Sequence, residues 1–169
     1  MYSLNVPLPS EITTLAADLA TELPLAEERG RGEHTLVAKR LGSGDHAAYA
    51  RLEAQARDSL HGQPTFEAAV TGIEQFETAA TGPSPVVYLA VESPGLLALH
   101  ERLCERFDAV AGVEGGDYVP HVTIARGGDA DAARRLVERE IEPVRWSVEA
   151  LAFFDADLGQ EVSRVSLPA

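Results

Sequence analysis

The chain has 169 residues and a mass of 18.1 kDa, which predicts a single domain and excludes a large multidomain protein. Its 45% hydrophobic and 24% charged residues are ordinary for a globular protein and exclude wholesale disorder. Its apolar runs are far shorter than the ~20 residues that span a bilayer, so we expect a soluble cytoplasmic protein without a membrane partner.

Acidic residues outnumber basic ones by 27 to 14, which gives a formal net charge of −13. Such a charge repels nucleic-acid backbones and disfavours duplex DNA as a partner, so any phosphate site must be a local basic island. Lys39 is the only lysine in the sequence. An acidic, arginine-rich composition is typical of proteins from salt-loving microbes, and a high GC content of the coding DNA explains the preference for arginine equally well.

The first half of the chain alternates strand-like and helix-like segments. Strands are predicted over 2–6, 34–39, 66–76 and 86–91. Helices are predicted from Ser10, a candidate N-cap, through an apolar stripe that ends at Leu23, and from the cap Asp45 to about Leu60.

The second half continues in the same order. A helix begins at Ser93 and Pro94, and a charged helix is predicted over 129–140. Strands are predicted over 118–126, 144–154 and 162–167, the last two forming a closing hairpin. The order β-α-β-α-β-β-α-β-α-β-β favours an α+β fold with helices packed on largely antiparallel sheets.

Each half of the chain contains a similar short strand. Residues 34–39 (HTLVAK) align without gaps with residues 121–126 (HVTIAR), which matches a histidine, a β-branched residue, an alanine and a cation at equal offsets. The offset is 87 residues, about half the chain. We therefore expect one domain with two pseudo-symmetric halves, 1–80 and 81–169, that present their histidines to a shared cleft.

Two histidines that face one another are suited to metal-free phosphodiester chemistry. One neutral imidazole takes a proton from water or a ribose hydroxyl, and one imidazolium protonates the leaving oxygen. A threonine two residues further along a strand points the same way as its histidine and can donate to phosphate oxygens. His34, His121 and Thr123 are the residues that fit this pattern.

Residues 118–124 (YVPHVTI) resemble the second signature of the 2H phosphoesterase superfamily, which includes the 2'-5' RNA ligases, or RNA 2',3'-cyclic phosphodiesterases. Residues 34–36 (HTL) resemble its first signature. The resemblance implies a bilobal α+β fold in which antiparallel sheets line a central cleft, with the helices outside. It also implies His34 and His121 as the catalytic pair, no metal, no other cofactor, and a substrate with an RNA or nucleotide 2',3'-cyclic phosphate or 2'-5' phosphodiester.

The first signature departs from the family pattern. Thr35 follows His34 directly, and Leu36 stands where the hydroxyl residue belongs. Strict alternation along a strand places Thr35 on the face opposite to His34, unless a β-bulge turns one of them. Thr35 is therefore a weaker candidate phosphate donor than Thr123.

Three further residues are substrate-binding candidates. Lys39 and Arg126 both follow their histidine by five positions and would supply positive potential, although ideal alternation points them away from it. Tyr118 is a candidate for stacking on a base or closing the cleft, and simple packing explains it equally well.

Other chemistry finds less support in the sequence. It contains no P-loop and no Gly-x-Ser-x-Gly elbow, and the pair His100 and Cys104 lacks the third ligand that a zinc site needs. Two alternatives stay open. One is a 2H hydrolase of a small cyclic nucleotide, such as an ADP-ribose cyclic phosphate. The other is a noncatalytic RNA-end or nucleotide-binding module in which the altered first signature has lost turnover.

Overall fold

The computed structural model describes residues 1–30 and 33–169. The helices in this part of the chain are α1 (Ser10–Ala20), α2 (His46–Ser59), α3 (Pro94–Cys104) and α4 (Ala130–Val137), with a short 3-10 turn at Gly115–Asp117. The strands are β1 (Tyr2–Val6), β2 (Glu27–Glu28), β3 (Leu36–Gly42), β4 (Phe66–Phe76), β5 (Val86–Glu92), β6 (His121–Arg126), β7 (Val144–Val148), β8 (Ala150–Asp155) and β9 (Gln160–Ser166).

The strands form two antiparallel sheets. The four-stranded sheet has the order β3-β1-β8-β9, and the five-stranded sheet has the order β2-β6-β5-β4-β7. The apolar faces of α1, α3 and α4 pack against these sheets in one hydrophobic core. The predicted α+β class with antiparallel sheets is confirmed. No helix among residues 1–30 and 33–169 is long and apolar enough to cross a membrane.

Each sheet takes strands from both ends of the sequence. β4 lies in the five-stranded sheet, whereas β8 and β9 return to the four-stranded sheet beside β1. The single strand predicted over 144–154 is wrong, because the chain leaves one sheet at the exposed Glu149 and enters the other. The boundary expected near residue 80 therefore does not separate the two sheets.

Local capping signals account for two helix starts. The Asp45 carboxylate accepts a hydrogen bond from the Ala48 N–H, and the Ser93 hydroxyl accepts one from the Leu96 N–H. At α1 the N-cap position belongs to Pro9, whose ring offers no hydrogen-bond acceptor, so Ser10 is the first helical residue and not the cap.

β3 and β6 each carry a β-bulge. Ala38 is an extra residue in β3 that the register with β1 passes over, and a second shift nearer the end of β3 passes over Leu41. Ile124 is the corresponding extra residue in β6, where the register with β5 jumps. A bulge shifts the alternation of a strand by one residue, so side chains beyond it point to the face opposite to the one that simple counting predicts.

Candidate active site

A small pocket of about 110 Å³ receives side chains from β3 of one sheet and β6 of the other. We call it the cleft. Its polar lining includes one histidine, two threonines and three arginines from the described part of the chain: His121, Thr35, Thr123, Arg29, Arg40 and Arg126.

The two strands contribute to the cleft in the same pattern. In each of the segments 35–40 and 121–126, the first, third and sixth residues line the pocket. They are Thr35, Val37 and Arg40 in one segment and His121, Thr123 and Arg126 in the other, and Thr35 directly precedes β3. Corresponding residues are 86 positions apart, and so are the two bulge residues Ala38 and Ile124. The structural repeat is therefore one residue shorter than the offset of 87 that the sequence alignment gave.

This register places Thr35, and not His34, opposite His121. The side chain of His34 lines a separate pocket of about 610 Å³ beside α1, and Arg29 borders both pockets. Successive residues of an extended segment point to opposite faces, so a shift of one residue exchanges the two side chains. The structure thus does not bring His34 and His121 together, contrary to the expectation of a shared cleft.

His34 is buried, with 8% of its surface exposed. Neither of its ring nitrogens has a hydrogen-bond partner within the described residues. Burial lowers the pKa of His34 below 6.5, the positive charge of Arg29 lowers it further, and Glu33 opposes the shift in part. His34 is consequently held as a neutral imidazole at neutral pH.

His121 has a defined orientation in the cleft. Its Nδ1–H donates to the carbonyl oxygen of Val119 at 2.7 Å, which leaves Nε2 as the proton-accepting nitrogen. The imidazole also packs edge-on against the rings of Phe76 and Tyr88, at centroid distances of 5.3 and 5.2 Å. These contacts hold one ring nitrogen ready to take a proton.

The pKa of His121 lies below its ordinary value of 6.5. Burial is the largest cause, the Val119 carbonyl opposes it, and the positive charges of Arg40 and Arg126 lower the pKa further. A neutral imidazole at neutral pH is the form that a general base requires.

Arg29, Arg40 and Arg126 give the cleft a local positive charge in a protein whose net charge is negative. Burial lowers the pKa of Arg126 below its ordinary value, and the positive charges of Arg29 and Arg40 in the same pocket lower it further. Arg126 donates to the carbonyl oxygen of Thr81 at 2.9 Å. Several guanidinium groups around one pocket favour an anion with several acceptor oxygens, such as a phosphate.

Lys39 does not reach the cleft. Its side chain is fully buried, and Nζ donates to Glu114 Oε2 at 2.6 Å and to the carbonyl oxygens of Asp108 and Arg40. The bulge at Ala38 turns Lys39 inward and points Arg40 into the cleft instead. The corresponding bulge in β6 points Arg126 into the cleft, against the ideal alternation.

Arg40 and Arg29 were missed by the sequence analysis. A gapless alignment at an offset of 86 places Arg40 over Arg126, and a comparison of the two registers would have found it. Arg29 follows the two-residue strand β2, which carries no periodic signal, and no sequence pattern points to it.

Tyr118 and His100 each form a hydrogen bond with a main-chain carbonyl of β3 at its bulge. The Tyr118 hydroxyl donates to the Val37 carbonyl at 2.8 Å, and its ring stacks on His100 at a centroid distance of 3.8 Å. His100 Nδ1 donates to the Ala38 carbonyl at 2.7 Å, while Nε2 accepts the Gly115 N–H at 2.9 Å. Of the two interpretations of Tyr118, these contacts favour packing, although its edge still borders the cleft.

Two further features bear on ligands. A larger pocket of about 420 Å³ adjoins the cleft, shares His121, Arg40 and Arg126 with it, and adds Phe76 and hydroxyl side chains. Among residues 1–30 and 33–169, no group of three or more His, Cys, Asp or Glu side chains is arranged to hold a metal ion.

The sequence matches the family model described as the 2'-5' RNA ligase superfamily over residues 12–160. The fold is similar to that of TT0787 of Thermus thermophilus, with a TM-score of 0.66 at 19% identity over 98% of this chain and 97% of that one. It is also similar to E. coli LigT complexed with 3'-AMP, with a TM-score of 0.64 at 18% identity over 98% and 96% of the two chains. E. coli LigT complexed with ATP gives 0.64 at 19% identity over the same shares. No curated protein matches the sequence.

Proposed function

Because the chain belongs to the 2'-5' RNA ligase superfamily, we propose that it is a metal-independent phosphodiesterase acting on RNA or nucleotide 2',3'-cyclic phosphate or 2'-5' phosphodiester ends. The proposal rests on one observation above all. A neutral, oriented imidazole, that of His121, lies beside Thr123 and the arginines Arg29, Arg40 and Arg126 in one pocket.

These groups suit a phosphate that gains charge during reaction. The guanidinium groups and the Thr123 hydroxyl can donate to phosphate oxygens, and the Thr81 carbonyl already orients Arg126. Three arginines in one small pocket of a chain with a net charge of −13 favour a short, charged terminus over a long nucleic acid. The similar E. coli LigT is known in complex with the nucleotides 3'-AMP and ATP.

The reaction we propose is an in-line displacement at phosphorus. His121 Nε2 takes a proton from water as the oxygen of that water bonds to phosphorus, and the bond from phosphorus to the ribose oxygen breaks. The same arrangement with a ribose hydroxyl as the attacking group joins two ends. Hydrolysis is favoured in dilute solution because water is abundant.

The pocket beside the cleft favours a small substrate. Its volume of about 420 Å³ and its mixed lining, with Phe76 on one side, suit a nucleoside attached to the phosphate in the cleft. A small cyclic nucleotide, such as an ADP-ribose cyclic phosphate, is therefore an alternative to an RNA terminus within the same reaction class.

One observation favours a second candidate, a noncatalytic module that binds RNA ends or nucleotides. The role of His34 as the second acid/base group, which the family resemblance implies, requires its imidazole to enter the cleft. His34 lines a different pocket instead. Loss of the second proton-transfer group is compatible with binding of a phosphate without turnover.

The test is turnover of a 2',3'-cyclic-phosphate-terminated oligonucleotide and of 2',3'-cyclic AMP, in molar KCl with EDTA. We expect the parent protein to hydrolyse at least one of them and the His121→Ala variant to do so at least about 100-fold more slowly. A folded parent that binds 3'-AMP without hydrolysing either substrate supports the binding module and contradicts the phosphodiesterase.

A further inference from the structure

We infer that the cleft works with one histidine, and that Arg40 stabilises the leaving oxygen at the place where a second acid/base group would act. The inference rests on the proposed function, because it assigns the second half of the same reaction. It differs from the implied two-histidine mechanism in removing His34 from the chemistry.

The register of β3 determines which side chain faces His121. Thr35 is the structural counterpart of His121. Each lies three residues before the bulge of its segment, and the two bulge residues, Ala38 and Ile124, are 86 positions apart. A threonine hydroxyl donates a hydrogen bond but does not exchange a proton near neutral pH as imidazole does. The β3 half of the cleft therefore lacks a proton-transfer group at this position.

His34 lies outside the cleft. Both of its ring nitrogens are buried without partners in the described part of the chain, and its side chain borders the pocket beside α1. For His34 to reach a phosphate in the cleft, the segment before β3 would have to shift its register by one residue, so that His34 took the place of Thr35. That change would withdraw Thr35 from the cleft.

Arg40 is paired with Glu114 at the edge of the cleft. Its main-chain N–H donates to Glu114 Oε1 at 2.7 Å, and its guanidinium Nη1 lies 3.5 Å from the same oxygen. Glu114 is itself held by the buried Lys39 at 2.6 Å. The guanidinium thus pairs with Glu114 and also borders the cleft, so part of its conformational freedom is already restricted before a substrate binds.

The chemistry then balances with one imidazole. His121 accepts the proton of the attacking water, the new bond from oxygen to phosphorus forms, and the ribose oxygen leaves with the electron pair of the broken bond. Arg40 stabilises that negative charge by charge-assisted hydrogen bonds. Solvent water then protonates the ribose oxygen, and His121 returns its proton to solvent.

The test is the dependence of kcat/KM on pH for hydrolysis of 2',3'-cyclic AMP. With one acid/base group, the parent profile rises with a single ionisation and then stays level, because the guanidinium does not titrate in this range. Thr35→His introduces a second titrating group in the cleft. We expect this variant to show a bell-shaped profile and about tenfold or greater acceleration at the optimum.

Three variants isolate the role of Arg40. Arg40→Gln should lower kcat by about 100-fold with a smaller change in KM, and Arg40→Lys should restore part of it. Arg51→Gln, on the exposed face of α2, is the matched control and should have no effect. His34→Gln should leave the profile and the rate unchanged, and His34→Leu repeats this test if the amide destabilises the fold.

The outcomes separate this inference from the proposed function. A bell-shaped parent profile that loses one limb in His34→Gln overturns the inference while turnover, and with it the proposed function, stands. Full kcat in Arg40→Gln likewise overturns the role of Arg40 alone. A parent without turnover on both substrates overturns the proposed function, and the one-histidine reaction with it.

Discussion

The two halves of the cleft share one backbone frame and differ in their side chains. Both strands carry a bulge at the same place, and three corresponding positions of the segments 35–40 and 121–126 line the pocket. The β6 half presents histidine, threonine and arginine at these positions, and the β3 half presents threonine, valine and arginine. The positive charge is thus repeated in both halves of the cleft, whereas a histidine lines it in only one of the described halves.

The supports behind the two halves differ as well. Behind β3 lies the buried ion pair of Lys39 and Glu114, and the position that corresponds to Lys39 in β6 holds the equally buried Ala125. The β6 half is instead packed against aromatic rings, those of Phe76 and Tyr88. Removal of one charge from a buried ion pair leaves the other charge without a partner, so we expect substitutions at Lys39 or Glu114 to destabilise the β3 half.

Substitution of the two histidines is expected to have very different effects on turnover. Replacement of His121 by alanine should lower turnover of a 2',3'-cyclic phosphate about 100- to 10,000-fold, because it removes the general base. The matched change His34→Gln should alter turnover less than about twofold on the one-histidine mechanism. Steady-state kinetics of both variants, with folding checked by circular dichroism, measures this. Equal losses in the two variants would restore the symmetric interpretation.

Removal of the Lys39 charge disrupts the buried ion pair behind β3. Lys39→Met leaves the Glu114 carboxylate buried without its cation and should cost about 3–5 kcal/mol of unfolding free energy. Denaturant unfolding measures this. The control is the double variant Lys39→Met/Glu114→Gln, in which the neutral amide oxygen still accepts main-chain N–H groups, and it should recover part of the loss. A single variant as stable as the parent would show that the pair does not support β3.

The same ion pair makes the fold sensitive to acid. Burial raises the pKa of Glu114, but hydrogen bonds from Lys39, Val110 and Arg40 outweigh it, and the net pKa lies below 4.5. A carboxylate whose pKa is lower in the folded state than in the unfolded state stabilises the folded state at pH values above its unfolded-state pKa. That stabilisation is lost as the pH falls through 4.5 and below.

Unfolding free energies between pH 6 and pH 3 test this sign. The parent should lose stability more steeply below pH 4.5 than the double variant Lys39→Met/Glu114→Gln, which has no carboxylate at this position. Parallel curves for the two proteins would assign the acid sensitivity to other groups.

The smallest expected effect links the two halves through charge. Arg40 lowers the pKa of His121, so Arg40→Gln should raise it, since a nearby cation disfavours the imidazolium. An NMR titration of the His121 ring should therefore show its midpoint at a higher pH than in the parent, and Arg51→Gln should leave the midpoint in place. A downward shift in Arg40→Gln would show that the two groups do not face each other.

Much of this molecule follows from local sequence patterns. The alternation of apolar residues predicts most of the strands, and the side chains of Asp45 and Ser93 predict where two helices begin. The segment around His121 and Thr123 indicates both the family and one half of the cleft. These features depend on neighbours in the sequence, because strand and helix periods are local properties.

Tertiary structure alone decided which residues of the first segment enter the cleft. The extra residue Ala38 is defined only by the pairing of β3 with β1, and the sequence alignment at an offset of 87 paired Arg126 with Lys39 instead of Arg40. The same one-residue uncertainty placed His34 where the structure has Thr35. A shift of one residue exchanges the two faces of a strand, and a bulge that causes such a shift becomes visible only where the strand pairs with its neighbour.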